Sequence, residues 1–389
     1  MRMLPDNPSV DFLKKEAKDL LAGLREATPA ASLADAQRTL AEQYGFRTWT
    51  ELKAGVDLQR NAVPAADPSL ANELAEAFAL GKVTGPMRPI GYEYMGRKWS
   101  LETEKGRWIA SPLFAWIGEQ AAEIAATVRE AARGVGVKSP VAVRSASGKL
   151  VERVQDTTWR IDEWMDFGPT PTAPVRASVA ASAGEVLGAI HSLALPTDGT
   201  IHPHLTSRKP QSEWDDLLRR ARDARKPFAD ELERAMPAIG TLRAITAPIP
   251  DTLILSNCDL VLEGVRMGKG NELVVVHWDF ASPHDPAFEL AYVLNQWTMW
   301  PTLNEPAARA LAAAYGERLG SVPTLTLPSF SIAISGYLNW FYNQFCEAID
   351  PESPERLDFA EREAQVLLRD PLTLAKLERL IESLTPALQ

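Results

Sequence analysis

The chain has 389 residues, of which 46% are hydrophobic and 24% charged, the make-up of an ordinary globular protein with room for two or three domains. Its formal charge of −10 argues against a general nucleic-acid binder, which needs a basic face for the phosphates. The two cysteines, Cys258 and Cys346, give no disulfide framework or metal spacing. The amino-terminal stretch has no apolar signal core, and no apolar run reaches the roughly 18 residues that span a bilayer, so a cytoplasmic protein is expected.

Residues 9 to 57 read as a small all-helical unit. Val10, Leu13, Ala17, Leu20, Leu21 and Leu24 recur at helical spacing. A second helix starts at Ser32, with Asp35 three residues on, carries Leu33, Ala36, Leu40 and Tyr44, and stops at Gly45. A third starts at "TWTEL", where Thr48 can cap and Glu51 can reach back to it. The next dozen residues read as a linker by composition.

A new pattern follows. "RKWSLETEKGRWIASPLF" alternates apolar and polar residues around a Lys-Gly turn, which predicts a β-hairpin. An Ala/Glu-rich helix is expected over about 117 to 133, then two short strands in "SPVAVRSASGKLVERV" and one in "TTWRIDEWMDFG". Val179, Ala183, Val186, Leu187, Ile190 and Leu193 mark an amphipathic helix. "IHPHL" reads as a loop, and the basic run "LLRRARDARK" as the solvated face of a helix. Beyond residue 240 come "DTLILSNCDLVLEGV", a strand in "ELVVVHWDF", and a long helical remainder. Between those two, "GVRMGKGN" reads as a hairpin turn and not a phosphate cradle, since no helix start follows it. The domains expected are a helical unit over 1–58, a linker over 59–71, a sheet with one helix over 72–168, and a mostly helical domain over 169–389.

Two resemblances overlay this reading. "FLKKEAKDLL" with "LADAQRTLAEQYGFRTWTELKAGV" resembles a short helical segment at the amino termini of some ankyrin-repeat and other bacterial proteins, and has no chemistry attached. No ankyrin repeat follows it. The hairpin with "ETEKGRW", the Ala-rich helix, "IDEWMDFG", "EVLGAIHSLALP" and "CDLVLEGV" followed by "VVVHWDFASPHDPAFELAYVL" resemble the aminoglycoside phosphotransferase family of kinase-like enzymes. The frame W-D-x-A-x-P-x-D-P-A-x-E-L-A, residues 278 to 291, is the most specific piece. The resemblance covers roughly residues 72 to 385. It implies an α+β, two-lobed protein-kinase-like fold, here preceded by the small all-helical unit.

The resemblance also implies where the chemistry sits. Phosphoryl transfer needs groups that hold the phosphates, hold Mg²⁺ and orient the acceptor hydroxyl. At the phosphate-lysine position this chain has Ser111, which supplies no cation. The H-x-D-x-x-x-x-N motif reads Asn257, Asp259 and Gly264: the base is kept and the metal-binding Asn is gone. The metal-binding Asp is replaced by His277, a poor ligand for a hard cation. Glu119 or Glu123, on the helix after the hairpin, can take part in a metal site. Asp279 can share a strand face with His277 and hold a metal, or can simply cap the loop "DFASP".

Three functions follow. In the first, no cofactor is used, and a small-molecule ligand is bound or transformed in the former catalytic cleft. Asp259 and His277 would face one another there and support metal-independent elimination, cyclisation or isomerisation; the plain alternative makes His277 a satisfied core histidine. The second is an active kinase using ATP and Mg²⁺, with Asp259 as base and Asp279 on the metal. The third is a non-catalytic interaction protein that docks partners through its amino-terminal helices. The 11 tryptophans are expected mostly in packing, with a few left to line a ligand pocket.

Overall fold

The computed structural model describes Leu4 and residues 8–59, 64–93, 96–114, 117–166, 168–300 and 302–384; residues 60–63 of the expected linker lie outside these. By contacts, the chain divides into two units. The first joins Arg2–Thr172 to Asn257–Ser282, and the second joins Ala173–Ser256 to Pro283–Gln389.

The first unit opens with α1 (Val10–Ala27), α2 (Leu33–Gln43) and α3 (Trp49–Gln59). Their apolar stripes meet in a core of Leu13, Ala17, Leu20, Leu40 and Leu52, all fully buried. Within it the Tyr44 hydroxyl donates to buried Glu16 at 2.7 Å. Ser9 caps α1, and Ser32 with Asp35 forms a full capping box on α2. At α3 only half the expected box forms. Thr48 accepts from the Glu51 amide at 3.1 Å, but the Glu51 carboxylate turns to the Arg47 amide and guanidinium. Asp67 and Pro68 then start α4 (Pro68–Ala77).

A six-stranded antiparallel sheet follows. Its strands are β1 (Arg88–Glu93), β2 (Gly96–Thr103), β3 (Gly106–Leu113), β4 (Ala142–Val143), β5 (Glu152–Val154) and β6 (Thr157–Glu163). They lie in the order β1-β2-β3-β6-β4, with β5 also paired to β6. Between β3 and β4 runs α5 (Glu119–Gly134). Strand β6 is buried on both faces. Trp159 and Ile161 point into an apolar core with Leu74 of α4 and Phe78 at its C-cap. Arg160 and Asp162 alternate with them and are equally buried, so the other face carries charge.

After β7 (Ile254–Ser256), part of the second unit, the chain returns to the first unit for a hairpin of β8 (Val265–Met267) and β9 (Leu273–Val275). This is the turn expected at "GVRMGKGN". Gly168 and Pro169 exchange backbone hydrogen bonds with Met267, at 2.6 and 2.9 Å, and tie the segment after β6 to this hairpin.

The second unit is helical: α6 (Ala177–Ser192), α7 (Pro203–Thr206), α8 (Gln211–Asp223), α9 (Ala229–Arg243), then β10 (Ser282–His284), which pairs with β7, and α10 (Pro286–Thr298), α11 (Glu305–Leu319), α12 (Ser331–Ile349), α13 (Pro354–Arg369) and α14 (Leu374–Leu384). The α7 turn corrects the loop expected at "IHPHL": the His202 ring nitrogen accepts from the His204 amide at 3.2 Å and caps one helical turn. The basic run on α8 is a paired, solvated face, with Arg219 on Asp216 and Asp223, Arg220 on Asp350, and Arg222 on Glu233. Asp285 caps α10 through the amides of Ala287 and Phe288, which explains the D-P-A-F wording of that stretch. His191 on α6 joins α10 and α11, through Glu289 at 2.9 Å and the Tyr315 hydroxyl at 3.0 Å. Burial works to raise the Glu289 carboxyl, but His191 and His284 outweigh it and hold the group down at about 2. Among the described residues, no helix is long and apolar enough to cross a membrane.

Helices α6 and α11 pack backbone to backbone. A Cβ on Gly184 would lie 2.9 Å from the Leu311 carbonyl carbon, and one on Gly188 2.9 Å from the Tyr315 oxygen. Neither neighbour is a side chain that can swing away. We therefore expect Gly184→Val to destabilise the protein by about 1–3 kcal/mol or more through overpacking. Gly240→Ala, where a Cβ meets nothing within 4 Å, should instead stabilise by about 1 kcal/mol through helix propensity. Urea denaturation of the two variants checks both signs.

Candidate functional site

The site residues named from sequence lie in the first unit, on the loop after β7, the segment after β9, strand β3 and helix α5. The loop runs from Asn257 to Gly264. Asn257 is fully buried and works as a clamp. Its amide nitrogen donates to the His277 carbonyl at 2.7 Å, and its side-chain oxygen accepts from the Asp259 amide at 3.0 Å. Cys258 takes a φ of +58°, a left-handed value that costs a non-glycine residue about 1 kcal/mol or more. The loop closes tightly, with Val261 N to Asp259 O at 2.8 Å and Gly264 N to Val261 O at 3.0 Å.

Gly264 stands where the family motif has its metal-binding Asn. A Cβ there would sit 2.5 Å from the Asp259 carbonyl oxygen and 3.4 Å from the His277 Cβ. The position is closed to any side chain. Its own carbonyl accepts from two successive amides, Val276 at 2.9 Å and His277 at 3.2 Å.

That double acceptance marks the end of the strand pairing. β9 stops at Val275, so the strand expected through "HWDF" does not include residues 277 to 279. The alternation argument that put His277 and Asp279 on one strand face therefore fails. The structure sends the two side chains to different partners. His277 turns to Asp259, with Nδ1 to Oδ2 at 3.3 Å and side-chain exposures of 11% and 16%. Asp279 turns to Arg160 and forms a buried ion pair with its Nη1. It neither stands open to a metal nor caps its own loop.

Arg160 was not singled out by sequence, and of the residues linked to it only Asp279 was, in a different role. In register, Arg160 of β6 lies directly opposite Ser111 of β3, the position of the expected phosphate lysine. The Ser111 hydroxyl is buried, with no hydrogen-bond partner among the described residues. Arg160 Nε reaches Asp162 at 2.9 Å, and the other Asp162 oxygen accepts from Arg129 of α5 at 2.7 Å. Arg129, Asp162, Arg160 and Asp279 thus form one chain of alternating charge, with every side chain about 5% exposed. Burial works to raise the Asp162 carboxyl, but the two guanidiniums outweigh it and hold it below the ordinary carboxylate range. The signal was present in "RID", an Arg and an Asp two apart on a strand and hence on one face.

The remaining candidates are engaged elsewhere. Glu119, the first residue of α5, accepts from the Leu150 amide at 3.1 Å. Glu123 is gripped by Arg144 at 2.5 and 2.9 Å. Lys105, on the hairpin turn, is exposed and donates to the Ala79 carbonyl at 2.7 Å. Trp278 is fully buried and donates to Ser139, while Trp99, Trp108 and Trp159 pack on the core beneath the sheet. Among the described residues, no group of three His, Cys, Asp or Glu can hold a metal. The donor set at the family's metal positions does not suit Mg²⁺. It offers an imidazole, a glycine without a side chain, and a nearby carboxylate already neutralised by Arg160.

The geometry can be set beside known proteins. The chain matches the model of the phosphotransferase enzyme family over residues 86–325. Among solved structures it is similar to the spectinomycin phosphotransferase APH(9)-Ia in complex with ADP and spectinomycin, at 10% identity and a TM-score of 0.56, covering 83% of this chain and 98% of that one. It is also similar to the amicoumacin kinase hAmiN, at 14% identity and a TM-score of 0.53, covering 85% and 99%. An aminoglycoside phosphotransferase from Alicyclobacillus acidocaldarius gives 15% identity and a TM-score of 0.51, covering 83% and 98%. No curated protein matches. At such identities the structures speak for the fold, a kinase-like one, and the family model covers well over half of the sequence. The chain belongs to the phosphotransferase enzyme family.

Proposed function

We propose that this member of the family has lost Mg²⁺-ATP-dependent phosphoryl transfer and binds a small molecule at the Asp259–His277 pair, where it performs acid–base chemistry without a metal. The observation that carries the reading is the pair itself: an imidazole 3.3 Å from the retained carboxylate, at the position of a metal ligand. Two further observations support it. Gly264 leaves no room for the missing Asn. The cation opposite Ser111 is neutralised by two carboxylates and so offers little to a triphosphate.

In this reading Asp259 accepts from Nδ1–H of His277, which puts the imidazole lone pair on Nε2. A proton leaves a substrate C–H or O–H for Nε2. The Asp259 carboxylate stabilises the imidazolium that results. The proton then returns to another substrate atom in an isomerisation, or to the leaving group in an elimination. The 3.3 Å separation is longer than a tight charge-assisted bond, as is common before a ligand closes the site.

A second reading, ATP-dependent transfer with Asp259 as base and Asp279 on the metal, is favoured by fold neighbours solved with nucleotides, the spectinomycin phosphotransferase with ADP and the amicoumacin kinase with AMP-PNP and Ca²⁺. It requires Asp279 to leave Arg160.

Thermal-shift titration with ATP and MgCl₂ separates the two: we expect no Mg²⁺-dependent shift, and a saturable one would overturn the first reading. The five histidines make ¹⁵N imidazole spectra tractable. His277 should appear protonated on Nδ1 and bare on Nε2, and a neutral ring carrying its proton on Nε2 would end its role as base. Gly264→Asn, which reinstates the family residue, should confer no Mg²⁺ binding and should lower stability, because its Cβ meets backbone. Asp162→Asn removes the central anion of the buried chain and should cost about 3–5 kcal/mol in chemical denaturation. The Asp162 carboxyl is depressed in the fold from its ordinary 3.8. Its contribution is therefore full above that value and is lost as pH falls through the lower folded pKa, so the gap between wild type and Asp162→Asn should narrow in acid.

A further inference from the structure

A groove of about 340 Å³ lies in the first unit, walled by α5 on one side and by residues 140–142, Arg144 and Leu150 on the other. Arg129 lines it. The Arg129 side chain is only 6% exposed, and its Nη1 donates to Asp162 at 2.7 Å. A guanidinium presents five N–H groups in a rigid fork. Nε and Nη2 of Arg129 have no partner among the described residues. A nearly buried cation therefore brings unpaired donors to the wall of a cavity, an arrangement that a ligand oxygen improves.

The rim is charged but already paired. Arg144 holds Glu123, and Arg133 holds Glu130 at 2.6 Å. Arg129 has Asp162 behind it, so the groove offers a ligand no surplus of charge but the unused N–H donors of that guanidinium. Between them the walls are apolar, formed by Ala126, Val141, Ala142 and Leu150. An anionic head beside an apolar lining suits an organic acid better than a bare inorganic ion.

We propose that this groove binds a small organic carboxylate, its head on the Arg129 fork and its short apolar body against Ala126, Val141 and Leu150. Neither Asp259 nor His277 lines the groove, and its test does not depend on the chemistry proposed for them.

The test uses the full-length protein and benzoate as probe, followed by isothermal titration calorimetry and by saturation-transfer NMR. Benzoate should bind saturably, and its neutral isostere benzamide at least tenfold more weakly. Thr127 is exposed on the α5 wall, and its hydroxyl bonds only to the Glu123 carbonyl. Thr127→Trp fills the groove without touching the Arg129–Asp162 pair and should weaken benzoate at least tenfold with the melting temperature retained. Arg129→Lys, which keeps the charge and removes the fork, should also weaken it. Unchanged binding in Thr127→Trp, equal binding of benzamide, or no saturable benzoate signal would each overturn the proposal. Competition by inorganic phosphate as strong as by benzoate would reduce the groove to a simple anion site and overturn the organic-acid assignment.

Discussion

The buried chain Arg129–Asp162–Arg160–Asp279 is the constraint on which the first unit's arrangement depends. Four charges lie nearly out of water, and each costs several kcal/mol to desolvate. The cost is tolerable only because the charges alternate and each carboxylate meets a guanidinium. That requirement fixes the register of β6, which must turn Arg160 and Asp162 to one side and Trp159 and Ile161 to the core on the other. It fixes the rotation of α5, which must present Arg129. It also holds the turn at Asp279, two residues past His277. An exposed version of the same pairs would contribute about 1 kcal/mol or less; burial is what makes the chain a structural constraint.

A second constraint is local and steric. The loop from Asn257 to Gly264 is tight enough for the Gly264 carbonyl to accept two amides, while any Cβ at that residue collides with the Asp259 carbonyl. Asn257 pins the start of the loop through Asp259 and ties it to the segment after β9 through His277. The residues at 257, 264 and 277 thus meet in one place. The Asn clamps the two segments, the Gly permits the close turn, and the imidazole meets the carboxylate.

Much of the fold was legible in the sequence. Periodicity placed the amino-terminal helices, the β2–β3 hairpin, α5, α6 and the β8–β9 hairpin, because each buries one face on a local partner. Two errors had physical causes. "ELVVVHWDF" reads as one strand because a strand and a buried irregular segment share an apolar composition; the stop at Val275 depends on which amides Gly264 accepts, a non-local fact. "IHPHL" reads as a loop because one turn of helix carries no periodicity, and its start depends on a histidine cap. The ion-pair chain was missed for a third reason. Arg129, Asp162, Arg160 and Asp279 are scattered over 150 residues of sequence, and charged residues are ordinarily assigned to the surface. Only the Arg160–Asp162 spacing on a strand could have raised the suspicion.

The charge balance of the site bears on what it can act on. A site for a nucleotide triphosphate needs positive charge in excess, to offset a polyanion in a water-poor setting. Here the buried guanidiniums are matched one for one by carboxylates, so the chain presents no surplus. Admitting a phosphate at Arg160 would mean breaking a pair and stranding Asp162 or Asp279, and an unpaired buried carboxylate is the costliest outcome available. Asp259 and His277, by contrast, keep partial access to solvent and, in the proposed reading, exchange one proton with the substrate. A neutral substrate with an acidic proton disturbs none of the buried pairs. That difference is why the proposed reading takes such a molecule, and not ATP, as the ligand, although the fold is a kinase-like one.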